Sequence, residues 1–196
     1  TRPEAIKMAP VINVFKQDDL NFETCVAVTA QHREMLDQVL EVFQIEPDFD
    51  LDLMAGNQTL ENLTGKVLNG ISGLFDNYRP DLIFVQGDTT TTFAASLAAF
   101  YHKIPVGHVE AGLRTSNRYS PFPEEINRRM TSVIATYHFP PTKQAAQNLL
   151  HEGVEKDNIE ITGNTVIDAL LSVSEKLDIE HSKYETYFSS GYNIDI

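Results

Sequence analysis

The stretch Pro80-Asp81-Leu82-Ile83-Phe84-Val85-Gln86-Gly87-Asp88-Thr89-Thr90-Thr91-Thr92 leads through an Ala-rich segment into Ile104-Pro105-Val106-Gly107-His108-Val109-Glu110-Ala111-Gly112-Leu113-Arg114-Thr115. This pair of segments decides the fold. The apolar run 82–85 stops abruptly at Gln-Gly-Asp, and the run 106–109 stops at Glu-Ala-Gly. Between them, residues 92–101 are apolar nearly all round, as expected of a helix lying on a sheet. Strand, helix, strand at this spacing is a βαβ unit with a right-handed crossover. Ligands of open parallel sheets bind beyond the carboxyl ends of the strands. Asp88 and Glu110 both fall there, each beside a glycine that permits close approach of backbone or ligand. Two carboxylates facing one crevice form an acid/base constellation. The competing assignment makes Asp88 the cap of the following helix, consistent with the threonines after it, and Glu110 a loop charge.

Working outward, 196 residues of which 42% are hydrophobic suffice for a sizeable core. A net charge of −13 argues against nucleic acid as a partner, and an anionic ligand would need a local cluster of cations and backbone N–H groups. The single Cys25 lies in an apolar run and reads as a buried thiol. No signal peptide and no 18-residue apolar run is present, so a soluble, cytoplasmic protein is expected. The chain opens on Thr-Arg-Pro-Glu without an initiator Met, where a strand would be expected first. A fragment trimmed at both termini is therefore expected.

Thr1 reads as the cap of a first helix, with Pro3 and Glu4 in its first turn and Pro10 expected to kink it. Arg2 and Lys7 flank that helix N-terminus, where anions are attracted; the alternative is that both are solvated. Residues 24–29 read as a strand ending in Gln31-His32-Arg33, three residues able to touch a ligand or merely to meet solvent. A helix over 34–43 sets Met35, Val39, Leu40 and Phe43 on one side. Residues 49–53 read as a short strand and 60–75 as a helix. Beyond the central unit, Pro123-Glu124-Glu125 opens a helix to about residue 136. On it, Glu125 with Arg129, and Glu124 with Arg128, are i, i+4 pairs of the kind common on surfaces. A strand over 137–139, a helix capped by Thr142, a strand over 159–162 and a helix over 166–177 complete the alternation. The class is α/β with a Rossmann-like, doubly wound, mostly parallel sheet. No metal-ligand spacing is visible among the six His and one Cys.

Six segments in order, 1–7, 29–33, 87–89, 108–115, 123–128 and 162–165, resemble the bacterial UDP-N-acetylglucosamine 2-epimerases of the non-hydrolysing kind. Among them are Gly87-Asp88-Thr89, His108-Val109-Glu110-Ala111-Gly112-Leu113-Arg114-Thr115 and Pro123-Glu124-Glu125-Ile126-Asn127-Arg128. The resemblance implies the N-terminal half of a glycosyltransferase-B type fold, with residues 1–177 as a Rossmann-like domain lacking its first strand. Residues 178–196 would be a linker or the start of an absent C-terminal domain. It further implies an isomerase that inverts C2 of UDP-N-acetylglucosamine by eliminating and re-adding UDP, without a cofactor. The fragment alone would be inactive, since most of the UDP site belongs to the other half. Matching positions make Asp88, Glu110 and Glu124 the acid/base candidates, and Arg2, Lys7 and Arg128 the cations for the diphosphate. Gln31 and His32 match positions implicated in activation by substrate. A homodimer is expected of the full-length protein. A hydrolysing epimerase releasing free N-acetylmannosamine and a retaining nucleotide-sugar transferase are the alternative enzymes. A folding or interaction domain is the non-enzymatic one.

Overall fold

The sequence forms strand, helix and strand where the central spacing demands them. In the computed structural model, which describes residues 2–29, 33–53 and 58–179, β3 (Ile83–Gln86) pairs in parallel with β4 (Val106–Val109), and α4 (Thr90–Tyr101) crosses between them. The register sets Val85 beside His108 and Gln86 beside Val109. β5 (Tyr137–Phe139) extends this sheet in parallel on the other side of β4, giving the order β3-β4-β5. Gly107 stands between the rings of Phe84 and Phe139, and a Cβ there would come within 2.9 Å of the Phe84 ring. The packing of these two rings over β4 therefore favours glycine at this position.

Before this sheet come α1 (Arg2–Gln17), β1 (Ala27–Val28), α2 (Arg33–Phe43), β2 (Phe49–Asp50) and α3 (Leu60–Asn77). α5 (Glu124–Ile134) links β4 to β5, and after β5 come α6 (Lys143–His151), a single 3-10 turn and α7 (Thr165–Ile179). β1 and β2 form a second parallel pair. Two cores follow from this arrangement. Leu63, Val67, Ile71 and Phe75 of α3 meet Val85, Val106 and the alanines of α4. Ala9 of α1, the apolar stripe of α2, Val26 and Ala169 of α7 form the other. Among the described residues no helix is long and apolar enough to cross a membrane.

Several expectations change. The strand read over 24–29 is reduced to Ala27–Val28, because the Asp48 carboxylate takes the Val26 N–H at 2.8 Å and pulls the chain into a side-chain bridge. The strand read over 49–53 is likewise two residues, although Leu51 N–H still reaches Val28 O at 2.9 Å. That over 159–162 survives as one bridge between His138 and Ile159. In α2 the buried stripe is Leu36, Val39, Leu40 and Phe43, spaced i, i+3, i+4, i+7, and Met35 is exposed. α1 runs on through Pro10 as one helix. The expected cap Thr1 and residues 180–196 lie outside the described residues.

Candidate active site

Asp88 is not the cap of α4. β3 ends at Gln86, Gly87 turns the chain with φ of +73°, and Thr89 caps α4, its hydroxyl accepting the Thr92 N–H at 3.2 Å. The cap is thus one residue beyond Asp88. The Asp88 carboxylate is left half-buried, with Arg128 Nη1 3.5 Å from its Oδ2. Burial pushes its pKa up from the ordinary carboxylate value. Arg128 opposes that rise, while the nearby charges of Glu124, Glu110 and Glu4 add to it. Four carboxylates therefore converge here, from α1, the end of β3, the end of β4 and the start of α5.

Glu110 follows β4 directly and has φ of +62°, the left-handed region that a non-glycine residue enters at a cost of order 1 kcal/mol. Its side chain is held in that turn from two directions. Lys7 Nζ donates to both carboxylate oxygens, at 2.7 and 2.8 Å, and Gln86 Nε2 donates to Oε2 at 2.6 Å. Lys7 comes from α1, and only 14% of the Glu110 side chain is exposed. Burial shields the pair from solvent, so its charges attract more strongly than they would in open water.

The start of α5 corrects the surface-pair expectation. Glu125 has no exposed surface at all. It accepts from Arg128 Nε at 2.9 Å, from Arg129 Nε at 3.0 Å and from the Thr115 backbone N–H at 3.1 Å. Burial works against its charge, but these hydrogen bonds and the Arg128 charge outweigh it and hold the carboxyl below its ordinary pKa. Arg128 accordingly turns to Glu125 and Asp88 rather than to Glu124. Glu125 is a buried strut that aims Arg128, and Glu124 is left half-buried at the helix start.

Of the residues singled out from the sequence, Asp88, Glu110, Glu124, Lys7 and Arg128 come together. Arg2, in the first turn of α1, is exposed, and no hydrogen bond or ion pair ties it to another described residue. Gln31 and His32 lie outside the described residues. Sequence reasoning missed Gln86, whose signal was a polar residue closing an apolar run. It also missed Glu4, read only as a first-turn charge, and Asn127, whose Nδ2 donates to the Asp88 carbonyl at 3.1 Å.

Carboxylates with one raised pKa beside a lysine and a guanidinium, all beyond the carboxyl ends of parallel strands, define an α/β protein equipped for proton transfer next to an anionic group. The family model for UDP-N-acetylglucosamine 2-epimerase matches residues 15–192, and the chain belongs to that family. Its relatives include the UDP-N-acetylglucosamine 2-epimerase of Yersinia pestis, 58% identical over 177 residues, covering 90% of this chain and 47% of the relative. That of Bacillus subtilis is 60% identical over 170 residues, covering 87% and 44%. Among solved structures, the Neisseria meningitidis enzyme bound to UDP-GlcNAc superposes with a TM-score of 0.90 at 54% identity, over 95% of this chain and 51% of that one. The Methanocaldococcus jannaschii enzyme in complex with UDP-GlcNAc and UDP does so with a TM-score of 0.83 at 38% identity, over 92% and 48%. The chain spans about half the length of the curated relatives it matches. The parallel α/β fold expected from the sequence is the one these enzymes share.

Proposed function

We propose that this chain supplies the acid/base half of an enzyme that interconverts UDP-N-acetylglucosamine and UDP-N-acetylmannosamine. The observation that carries the reading is the convergence of Asp88, Glu110 and Glu124 with Lys7 and Arg128 at one end of the sheet. Inversion at C2 begins with loss of the C2 proton to a carboxylate. The C2–H electron pair forms a C1=C2 double bond while the C1–O bond breaks and UDP leaves with its electrons. A second acid group protonates C2 from the opposite face, and UDP adds back to C1. Carboxylates supplied by separate elements, Asp88 after β3, Glu110 after β4 and Glu124 on α5, offer the two acid/base groups that this requires. A carboxyl with a raised pKa, as at Asp88, keeps a proton more readily than an ordinary carboxylate, which suits an acid. Lys7 and Arg128 would neutralise the departing diphosphate, each being held ready by the carboxylate it now pairs with.

The substrate comes from the relatives, whose names give this activity and two of whose structures contain UDP-GlcNAc. An enzyme working on a nucleotide sugar would act in the cytoplasm and serve cell-surface polysaccharide synthesis, and the full-length protein would assemble as a homodimer. The test joins this chain to the second half that its relatives carry and follows the C2 proton by NMR in D2O. Deuterium entering C2 as UDP-N-acetylmannosamine appears is the expected result. Free N-acetylmannosamine would identify a hydrolysing enzyme instead. A C2 proton untouched in folded, UDP-binding protein would overturn the reading in favour of a transferase. Glu110→Gln should abolish exchange with folding intact.

A further inference from the structure

Three successive carbonyls at the turn that carries Asp88 are each gripped by a different buried side chain. Thr92 Oγ1, on α4, donates to Gln86 O at 2.6 Å. His108 Nε2, on β4, lies 2.7 Å from Gly87 O. Asn127 Nδ2, on α5, donates to Asp88 O at 3.1 Å. The three side chains are 5%, 0% and 5% exposed. Gly87 lies in the left-handed region, where no side chain of its own stiffens the turn. We propose that His108 is a positioning residue which, with Thr92 and Asn127, clamps this turn and so fixes where Asp88 presents its carboxyl group. The proposal rests on the acid/base reading of Asp88.

The chemistry of the ring supports a fixed role. A carbonyl oxygen only accepts, so Nε2 carries the proton. Nδ1 is buried without a hydrogen-bond partner among the described residues. Protonating it would bury a second N–H and a charge with nothing to receive either. The ring therefore stays neutral, its pKa driven by burial to about 4, with His138 and Arg114 adding to the fall. A donor that keeps one tautomer through the neutral range holds the turn in one place while the carboxylates beside it exchange protons. A core histidine with a purely packing role would be replaceable by an apolar residue of similar volume.

The experiment compares His108→Leu, which removes the donor, with His108→Gln, which places an amide N–H near the Nε2 position. Both are made in the full-length protein. Misplacing a reacting group by about an ångström costs of order a hundredfold in rate. His108→Leu should lower kcat by about ten- to a hundredfold with KM within threefold, and His108→Gln should recover most of the loss. Asn127→Asp, nearly isosteric but without the donor, should lower kcat in the same way. It keeps the test alive if His108→Leu does not fold. Folded His108→Leu and Asn127→Asp with kcat within threefold of the parent overturn the clamp, as does a His108→Gln no better than the leucine variant. The carboxyl carbon-13 titration of Asp88, which faces Arg128, Glu124, Glu110 and Glu4, is read in the same variants. Its midpoint should move in His108→Leu and return in His108→Gln; an unmoved midpoint refutes the clamp. Undiminished exchange in Asp88→Asn would instead sink the catalytic reading of Asp88, and the titration still decides the clamp.

Discussion

Lowering the pH from 7.5 to 5 should destabilise this protein by roughly 4 kcal/mol through two buried histidines. His108 and His138 are 0% and 2% exposed, and burial drives each to a pKa of about 4 from an ordinary 6.5. A group whose pKa is depressed on folding takes up its proton more readily in the unfolded chain. Between pH 6.5 and 4 the unfolded state is therefore favoured as acid is added, and stability falls. At pH 5 the difference amounts to about 2 kcal/mol for each ring relative to pH 7.5. Measurements from pH 7.5 to 5 stay above the range in which Glu125 and Glu152, the carboxylates held low by arginines, lose most of their stabilisation. Asp88 acts with the opposite sign, since its raised pKa lets the folded chain bind a proton first, and it offsets part of the loss. Equilibrium urea unfolding at pH 7.5, 6.5, 5.5 and 5 is the assay. With a slope of roughly 2 kcal/mol per molar urea, the midpoint should fall by about 1.5 to 2 M. The double variant His108→Gln/His138→Gln should lose most of this dependence. An unmoved wild-type midpoint, or an equal fall in the double variant, would refute the assignment of neutral buried rings.

Four further outcomes follow from particular residues. Glu125→Gln leaves Arg128 buried without its nearest counter-charge and should cost about 3 kcal/mol or more, read as a lower urea midpoint. Gly112→Ala would force a Cβ to within 2.2 Å of the Ala145 carbonyl at φ of +83°, so the variant should fail to accumulate as folded protein in a solubility and circular-dichroism assay. Gly73→Ala, in the middle of α3 with open space around it, should instead raise the thermal midpoint, by the equivalent of about 0.5–1 kcal/mol. Lys7→Met removes the cation on both Glu110 oxygens and should reduce C2 exchange in the full-length protein by about a hundredfold or more; wild-type exchange would show that Lys7 is idle.

The contrast between Glu124 and Glu125 separates what each level of description decides. The alternation of apolar runs with helical periods, the polar residues that end those runs, and the glycines at the turns are local features. They were enough to establish parallel α/β organisation and to draw attention to Asp88 and Glu110. Strand lengths were less legible, because the Asp48 side chain competes for the Val26 N–H that a longer strand would use. On α5 two glutamates precede two arginines at the same spacing, and local rules treat both pairs alike. Only the rotation of α5 against β4 buries Glu125 completely and leaves Glu124 half-buried. Lys7 meets Glu110 across 103 residues, Asn127 meets Asp88 across 39, and His108 meets Gly87 across 21. Contacts of that range leave no periodic trace in the chain. They arise where the carboxyl ends of β3 and β4 and the first turn of α5 are packed together, and the packing there sets which carboxyl has its pKa pushed up by burial and which is held low by arginines.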